Sequence, residues 1–422
     1  MANQPDIAIV GGSITGPTAA LRLHQEGFTN VHIYEASPEP MAQVGGAITL
    51  EHPALGVLDT IGVPQAEIVP FPSERIVSIK IADRSESRRF ETLYPGRHTA
   101  WHLINKSLIT RLPPGMLQTG KRVVGLDIGA DERPRLHFRD GETASADLVV
   151  FADGRRSIGR SILEPKRSLE YSGIVAWRGQ SAWAPKDLQD YTRYEPETTR
   201  LAVFPMVLSN GDLGSDWALY MPMSESRFTE VCGVSPTQRS FILPHQVSDK
   251  AKQLVVDEAH RMLTPDAIRM VEATISWSAA PLLTTQPPRQ MAFPIGRGHA
   301  VLVGDALAPV SPLTGRGANN GVEQINDLTA TLVQCTRYGS DITAALQGWE
   351  RRMLPTVRFS LEVGPKLAQR LGLQASARAS AAHLRSSTTT EPPRHRPENL
   401  NTDQRTTSPA PMNTKRPQPR VR

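Results

Sequence analysis

Gly11, Gly12, Ser13, Ile14, Thr15 and Gly16 follow an apolar run from Asp6 to Val10 and precede a helical pattern from Pro17 to Gln25. Glycines permit the tight turn, and the helix N-terminus behind it offers free backbone N–H groups and a positive dipole end to a pyrophosphate. A second apolar run, Val31 to Tyr34, closes on Glu35, 19 residues past Gly16. That is the distance at which an acid accepts hydrogen bonds from a ribose. Strand, turn, helix, strand and acid form a dinucleotide fingerprint, loosened only by Ser13 at the middle glycine position.

Two further strand ends carry carboxylates. Leu148 to Ala152 reads as a strand ending in Asp153 and Gly154, followed by Arg155, Arg156, Ser157, Ile158, Gly159 and Arg160. Such an ending places a carboxylate and a flexible turn at the carboxyl edge of a sheet, where α/β proteins bind ligands. Ala300 to Val303 reads as another strand, ending in Gly304 and Asp305. After it come Pro309, Pro312, Gly315, Gly317, Ala318, Asn319, Asn320 and Gly321, leading into a helix expected from about Val322 to Cys335. This is a second helix N-terminus turned toward a polar ligand group.

The elements that must position these motifs form a chain of 422 residues, enough for about two domains plus extensions. No apolar run reaches the roughly 18 residues of a membrane span, and the first strand begins too early for a secretory leader. A cytoplasmic protein is expected. Cys232 and Cys335 are the only cysteines, which excludes a disulfide framework and a cysteine-built metal site. No metal is expected. The net charge of +5 suggests nucleic acid at first sight, but its location argues against it. Residues 374–422 hold nine Lys and Arg against three Asp and Glu, so the body is close to neutral. With its Thr388 to Thr390 run, its prolines and few large apolar residues, this segment cannot offset chain entropy by burial. It is expected to be a disordered basic tail.

The three glycine and aspartate motifs, in this order and spacing, resemble those of the class A flavoprotein monooxygenases of the para-hydroxybenzoate hydroxylase type. The resemblance runs from about Asp6 to Leu371. Tyr171, Gly173, Trp177, Arg178 and Gly179, with Trp101 and its following helix, look most like the branch containing dihydroxypyridine hydroxylase. The resemblance implies an α/β fold: a Rossmann-like FAD-binding domain of the GR2 type with an inserted, mainly β substrate domain. The FAD-binding domain would comprise 1–80, 99–165 and 285–372, the last with C-terminal helices. The substrate domain would comprise 166–284 with 81–98, and the tail 373–422.

The resemblance also implies a role for each matched position. Gly11, Gly12, Ser13, Ile14, Thr15 and Gly16 would hold the FAD pyrophosphate, and Glu35, with Ala36 beside it, the adenosine ribose. Val123 would lie by the adenine, and Gly45 and Gly46 would let the backbone approach the flavin. Asp305 would meet the ribityl and pyrophosphate portion, and Asp153 and Gly154 belong to a motif linked to FAD and the nicotinamide donor. Pro312, Gly315, Gly317, Ala318 and Asn319 would lie against the isoalloxazine, where a helix N-terminus stabilises the anionic reduced ring. An Arg usually follows the Trp101 region; here Asn105 and Lys106 stand there, and Lys106 is the substitute, without the planar bidentate contact of Arg. Many relatives also place a His after the Gly-Asp pair, where this chain has Ala306, Leu307 and Ala308.

The implied activity is NAD(P)H-dependent insertion of one oxygen atom of O2 into an electron-rich aromatic or heteroaromatic small molecule, through a C4a-hydroperoxyflavin. No second GxGxxG serves NADH or NADPH, which fits transient use of that donor. A homodimer is compatible with this reading. Strand-like stretches at Arg200 to Val207 and Trp217 to Pro222 suggest a sheet covering the flavin, with Trp177, Arg178, Trp217 and Tyr220 as pocket candidates. Core packing or an ion pair is the competing role for each. His52 and His102 lie near the implied flavin site, but neither is assigned as catalytic base. Two other readings stand beside the hydroxylase. One is a flavin dehydrogenase or halogenase on the same fold, the halogenase disfavoured by the lack of a Trp-x-Trp-x-Ile-Pro stretch. The other is a catalytically inactive nucleotide-binding relative.

Overall fold

Short, wholly apolar runs that end on glycine or a carboxylate become the buried strands of a parallel sheet, because helices cover both of its faces. The computed structural model describes residues 4–39, 46–208, 211–239 and 241–373. Gly45 and the expected tail beyond Leu373 lie outside the described residues. In chain order the strands are β1 (Ile7–Val10), β2 (Val31–Tyr34), β3 (Ala47–Glu51), β4 (Arg75–Ala82), β5 (Ser85–Leu93), β6 (Gly96–Ala100), β7 (Leu117–Gln118), β8 (Val123–Ile128) and β9 (Pro134–Phe138). There follow β10 (Thr143–Ser145), β11 (Leu148–Phe151), β12 (Leu169–Ser181), β13 (Tyr191–Glu195), β14 (Arg200–Val207), β15 (Leu213–Pro222), β16 (Thr274–Thr285), β17 (Ala292–Ile295) and β18 (Gly298–Leu302). The α-helices are α1 (Thr15–Gln25), α2 (His52–Thr60), α3 (Gln65–Ile68), α4 (Trp101–Ile109), α5 (Ile158–Leu163), α6 (Glu225–Cys232), α7 (Asp249–Met262), α8 (Pro265–Glu272), α9 (Gly304–Leu307), α10 (Gly317–Tyr338) and α11 (Ile342–Arg370).

Among the described residues, six strands form the first sheet in the order β17-β18-β11-β1-β2-β7, parallel except for the β17–β18 edge. Every residue of β1 and β11 is buried. The carboxyl ends of β1, β11 and β18 bring Gly11, Asp153 and Gly304 to one edge of the sheet, where ligands of such folds bind. Helix α10 begins five residues earlier than the glycine-rich pattern suggested. Gly317, Ala318 and Asn319 are therefore its first turn rather than a loop before it, since Gly315 supplies the left-handed kink at φ +68° that ends the preceding turn.

A seven-stranded sheet, β16-β12-β15-β14-β13-β4-β5, forms the second layer. It is antiparallel apart from the β13–β4 pair. Strand β4 spans Arg75–Ala82, so it straddles the division expected after residue 80. Both faces of this sheet are covered. One packs Val77, Trp177, Leu201, Val203 and Trp217 against Phe228, Val255, Ala259 and Ile268 of α6, α7 and α8. The other packs Ala176, Tyr191, Ala202, Phe204, Ala218 and Tyr220 toward Ala47, Tyr94 and Leu313. No helix among the described residues is long and apolar enough to cross a membrane.

Candidate active site

The first glycine turn is shaped by close backbone approaches. Gly11 has φ +110°, and a β-carbon on it would lie 2.5 Å from the Ala152 carbonyl oxygen at the end of β11. A β-carbon on Gly16 would lie 1.9 Å from the Gly11 carbonyl oxygen, so only glycine lets α1 start there. The Gly12 N–H donates to Glu35 Oε2 at 2.6 Å, and the Ser37 N–H to Oε1 at 2.6 Å. Glu35 thus stands over the turn with both oxygens already oriented. Ser13, in place of a glycine, accepts a hydrogen bond from Trp101 Nε1 at 2.9 Å, and Asn105 Nδ2 donates to the Gly12 carbonyl at 3.2 Å. Helix α4 is fastened to the turn through these two bonds.

That fastening bears on the place expected for Lys106. Asn105 is buried against the turn, while Lys106, one residue further along α4, is exposed and does not line the adjoining cleft. One helical step rotates a side chain by about 100°, which is why neighbours differ so completely. The cleft itself is a cavity of about 280 Å³ bounded by Gly11, Gly12, Ser13, Glu35, Ala36, Trp101, Val123, Asp153 and Gly154, together with Tyr34, Lys121, Arg122 and Arg156. Tyr34 and Arg156 flank motifs read in the sequence, whereas Lys121 and Arg122 were missed there; their adjacency just before Val123 was the only signal. Lys121 is held by Asp140 at 2.8 Å and Glu142 at 2.7 Å, whereas Arg122 forms no ion pair among the described residues.

Asp153 closes the cleft from the β11 side. Its Oδ2 accepts the N–H groups of Ile158 at 2.7 Å and Gly159 at 3.4 Å, at the start of α5. Its Oδ1 is buried with no partner, and burial pushes its pKa up. A buried, unpaired acceptor beside a turn of free N–H groups fits a ligand that donates hydrogen bonds.

The second motif meets the first through Thr15. A β-carbon on Gly321 would lie 2.4 Å from Thr15 Oγ1, and one on Gly304 3.2 Å from it. Gly304 N–H donates to Gln324 Oε1 at 2.7 Å, and the Gln324 carbonyl accepts Trp349 Nε1 at 3.1 Å, so α10 and α11 hold the turn. Neither α1 nor α10 has a side-chain N-cap hydrogen bond. Thr15 and Gly16 at the start of α1, ahead of Pro17, which has no N–H, and Gly317, Ala318 and Asn319 at the start of α10 keep their N–H groups available, as an anion seat requires.

Asp305 faces the start of α10, with Oδ1 3.8 Å from the position a Gly317 β-carbon would take. Burial raises its pKa, with Arg155 and Arg160 opposing. Arg160, buried and given no role in advance, donates to the carbonyls of Asp305 at 3.1 Å and Ala306 at 2.8 Å, and also to that of Arg155. It fixes the Gly-Asp turn. Asn319 holds the start of α10: its Oδ1 accepts the Glu51 N–H at 2.8 Å, and its Nδ2 donates to Gly315 O at 2.7 Å and Thr49 O at 3.2 Å. Its side chain therefore positions the turn.

The four pocket candidates divide by face. Trp177 and Trp217 are fully buried under α6 to α8, and Trp217 Nε1 donates to Thr274 Oγ1 at 3.0 Å. They are core residues, because alternation along β12 and β15 points them to the face covered by α6, α7 and α8. Arg178 and Tyr220 lie on the opposite, inner face. Arg178 Nη2 donates to Ala47 O at 3.2 Å and contacts Asp216 Oδ1 at 3.3 Å, while Asp216 Oδ1 accepts the Ala47 N–H at 3.2 Å. A β-carbon on Gly46 would fall 1.7 Å from the same guanidinium. Gly46 thus admits Arg178, and the ion pair clasps the peptide of Ala47 from both sides.

The same inner face carries an aromatic cluster that sequence reasoning missed, since its members come from distant segments. His98 of β6 stacks on Tyr94 at 5.5 Å and meets Tyr191 and Phe204 edge-on at 5.2 Å and 5.8 Å. Tyr191 and Phe204 are parallel at 4.2 Å. Burial drives the His98 pKa down to about 4, so its ring is neutral at physiological pH. His52 and His102 are both exposed.

The FAD binding domain family model matches residues 4–352. The chain is 27% identical over 357 residues to the 6-hydroxynicotinate 3-monooxygenase of Bordetella bronchiseptica, covering 79% of this chain and 84% of that protein. It is 28% identical over 392 residues to the 2,6-dihydroxypyridine 3-monooxygenase of Paenarthrobacter nicotinovorans, covering 86% and 91%. The structure of 2,6-dihydroxypyridine-3-hydroxylase from Arthrobacter nicotinovorans superposes with a TM-score of 0.77 at 22% identity, over 89% of this chain and 96% of that one. Klebsiella pneumoniae HpxO, solved with FAD and uric acid, gives 0.68 at 20% identity, over 90% and 92%. These two structural likenesses establish the fold.

Proposed function

Since the chain belongs to the FAD binding domain family, we propose that it is an FAD-dependent, NAD(P)H-using monooxygenase that inserts one oxygen atom of O2 into an electron-rich aromatic or heteroaromatic small molecule. The observation that carries this reading is the meeting of a dinucleotide cradle, with its unpaired Asp153 Oδ1, and an aromatic, cationic sheet face reached through Gly46 and Arg178. The relatives named as monooxygenases of hydroxylated pyridine rings support it.

FAD, when bound, supplies hydride acceptance from the nicotinamide and oxygen delivery to the ring. The chain supplies position and exclusion of water. The turn from Gly11 to Gly16 binds the pyrophosphate with the N–H groups of α1, and Glu35 accepts the ribose hydroxyls. Ala36 and Val123 border the adenosine end. Asp305 would meet the ribityl and pyrophosphate portion, and Asp153 and Gly154 would serve FAD and the nicotinamide donor. Gly46, Pro312, Gly315, Gly317 and Ala318 would let backbone approach the ring, where the first turn of α10 would stabilise negative charge by about 1 kcal/mol or more.

The test is direct. Purified protein is examined for flavin absorbance, and NADH, NADPH and O2 consumption are followed over hydroxypyridines, hydroxynicotinates and phenols, with products identified by mass. A hydroxylated product with one atom of labelled oxygen supports the reading. Protein that refuses added FAD, or that oxidises the nicotinamide and yields only hydrogen peroxide with every ring tested, overturns it.

A further inference from the structure

Of the two edges of the seven-stranded sheet, one is covered and the other is open. Along β16 the chain returns, and Ile242 pairs with Ala279 through backbone bonds of 2.8 Å and 3.1 Å. Along β5, among the described residues, no strand pairs beyond β4, and all nine positions are exposed. Tyr94 N–H donates to the Glu74 carbonyl at 2.6 Å. In the alternating antiparallel pattern Thr92 and Phe90 therefore exchange bonds with β4, whereas Arg89, Glu91 and Leu93 turn their N–H and C=O groups outward. An open row of this kind is a template for another strand. Two large apolar side chains stand on it, Phe90 at 38% and Leu93 at 82% exposure.

The side chains of β5 decide which strand fits. A strand that joins a copy of itself in one continuous antiparallel sheet has its two-fold axis perpendicular to that sheet. One residue then faces its own copy, and residues equally far on either side of it face each other. Ser87 is the unmatched residue of a bulge against β4, so regular pairing runs from Arg88 to Leu93. Centred on Arg88 or Arg89, cations meet at the axis; centred on Glu91, anions do. Centred on Thr92, Glu91 faces apolar Leu93, and centred on Leu93 it faces Pro95, which has no N–H to give. Centred on Phe90 the pattern is complementary: ring meets ring, and Arg89 lies opposite the partner's Glu91 twice over. Those are also the residues whose backbone groups point outward, so each such pair exchanges two hydrogen bonds. Phe90 falls at the closely spaced, non-bonded position, where facing side chains approach most. Arg89 and Glu91 already touch Glu86 and Arg75 at 2.8 Å and 3.2 Å in half-exposed pairs, so the crossed pairs set register more than strength.

We propose that β5 is a self-association strand: two copies of this chain join their seven-stranded sheets edge to edge, about a two-fold axis at Phe90, into one continuous antiparallel sheet. The charges that spoil every other register, and that reject unrelated apolar strands, admit this one. The seam is a single short strand from each copy, so the dimer is reversible and dissociates in the micromolar range. The association does not depend on the monooxygenase reading.

The full chain is followed by sedimentation velocity and light scattering across the micromolar range, where a concentration-dependent monomer–dimer equilibrium is expected. Arg89→Glu and Glu91→Arg each set like charges across the seam twice, and each should weaken association roughly ten-fold or more. The double variant, R89E with E91R, brings opposite charges together again and should recover most of the original affinity. Phe90→Ser, which leaves the charges alone, should also weaken the dimer. These side chains are exposed, and thermal melts verify that each variant folds. Hydrogen exchange of the β5 amides should slow as concentration rises through the dissociation constant. A monomer at every concentration, a dimer indifferent to both charge reversals, or a double variant that fails to recover overturns the proposal.

Discussion

Thr15 Oγ1 occupies the space that a side chain on Gly321 would need, 2.4 Å from the position of its β-carbon. The two glycine motifs, some three hundred residues apart in the chain, are thus packed against each other at a single hydroxyl. Helices α1 and α10 can bring their N-termini to one ligand because residue 321 has no side chain. Gly321→Ala is expected to lower stability by about 1–3 kcal/mol through overpacking and to weaken FAD retention. Thr15→Ala in the same chain should recover part of both, a coupling read by chemical denaturation and flavin release.

Glu35 accepts two backbone N–H groups at 2.6 Å each and so is held ready for ribose hydroxyls. Hydrogen bonds to a charged group are worth about 1.5–3 kcal/mol. Glu35→Ala should therefore raise the FAD dissociation constant by roughly ten-fold to a hundred-fold, as measured by fluorescence of released flavin. Unchanged retention would show that the ribose lies elsewhere.

Helix α4 offers an internal control. Asn105 bonds the Gly12 carbonyl at 3.2 Å, whereas Lys106 is exposed. Asn105→Ala should loosen the glycine turn and lower FAD affinity several-fold; Lys106→Ala should leave it within experimental error. Reversal of that order would restore Lys106 as the cofactor contact.

His98 makes stability depend on pH. Its folded pKa of about 4 lies below the ordinary value of 6.5, so the unfolded chain binds the proton more readily. The contribution of neutral His98 is complete above pH 6.5 and is lost as pH falls toward 4, to a limit of about 3 kcal/mol. Urea midpoints measured across that window should fall with acidification, and His98→Gln should flatten the slope. An identical slope in the variant rules out His98 as its source.

Trp217 donates to Thr274 under α8 and touches Trp277 edge-on at 5.4 Å. Trp217→Phe should cost about 1–2 kcal/mol of stability with little change in KM, whereas Phe204→Ala on the inner face should raise KM. Steady-state kinetics with any accepted ring, beside thermal melts, separates the two.

The sequence by itself determined the cradle. The apolar strands β1, β2 and β11, the turn at Gly11 to Gly16, Glu35 at the end of β2 and the Asp153 and Asp305 strand ends are legible because each rests on local physics: backbone freedom, dipole direction and burial of short runs. Only the tertiary structure decided which side chains face the cleft and the inner face of the second sheet. Both faces of the second sheet are covered, so β15 is buried at eight successive positions from Gly214 to Met221 and shows no alternation to say that Trp217 looks outward and Tyr220 inward. On α4 a single helical step separates buried Asn105 from exposed Lys106. The cluster of Tyr94, His98, Tyr191, Arg193, Arg200 and Phe204 is assembled from segments that no spacing rule connects. Within it Arg200 donates to the Tyr191 hydroxyl, and neither Arg193 nor Arg200 has an ion-pair partner among the described residues, an arrangement that only the fold decides.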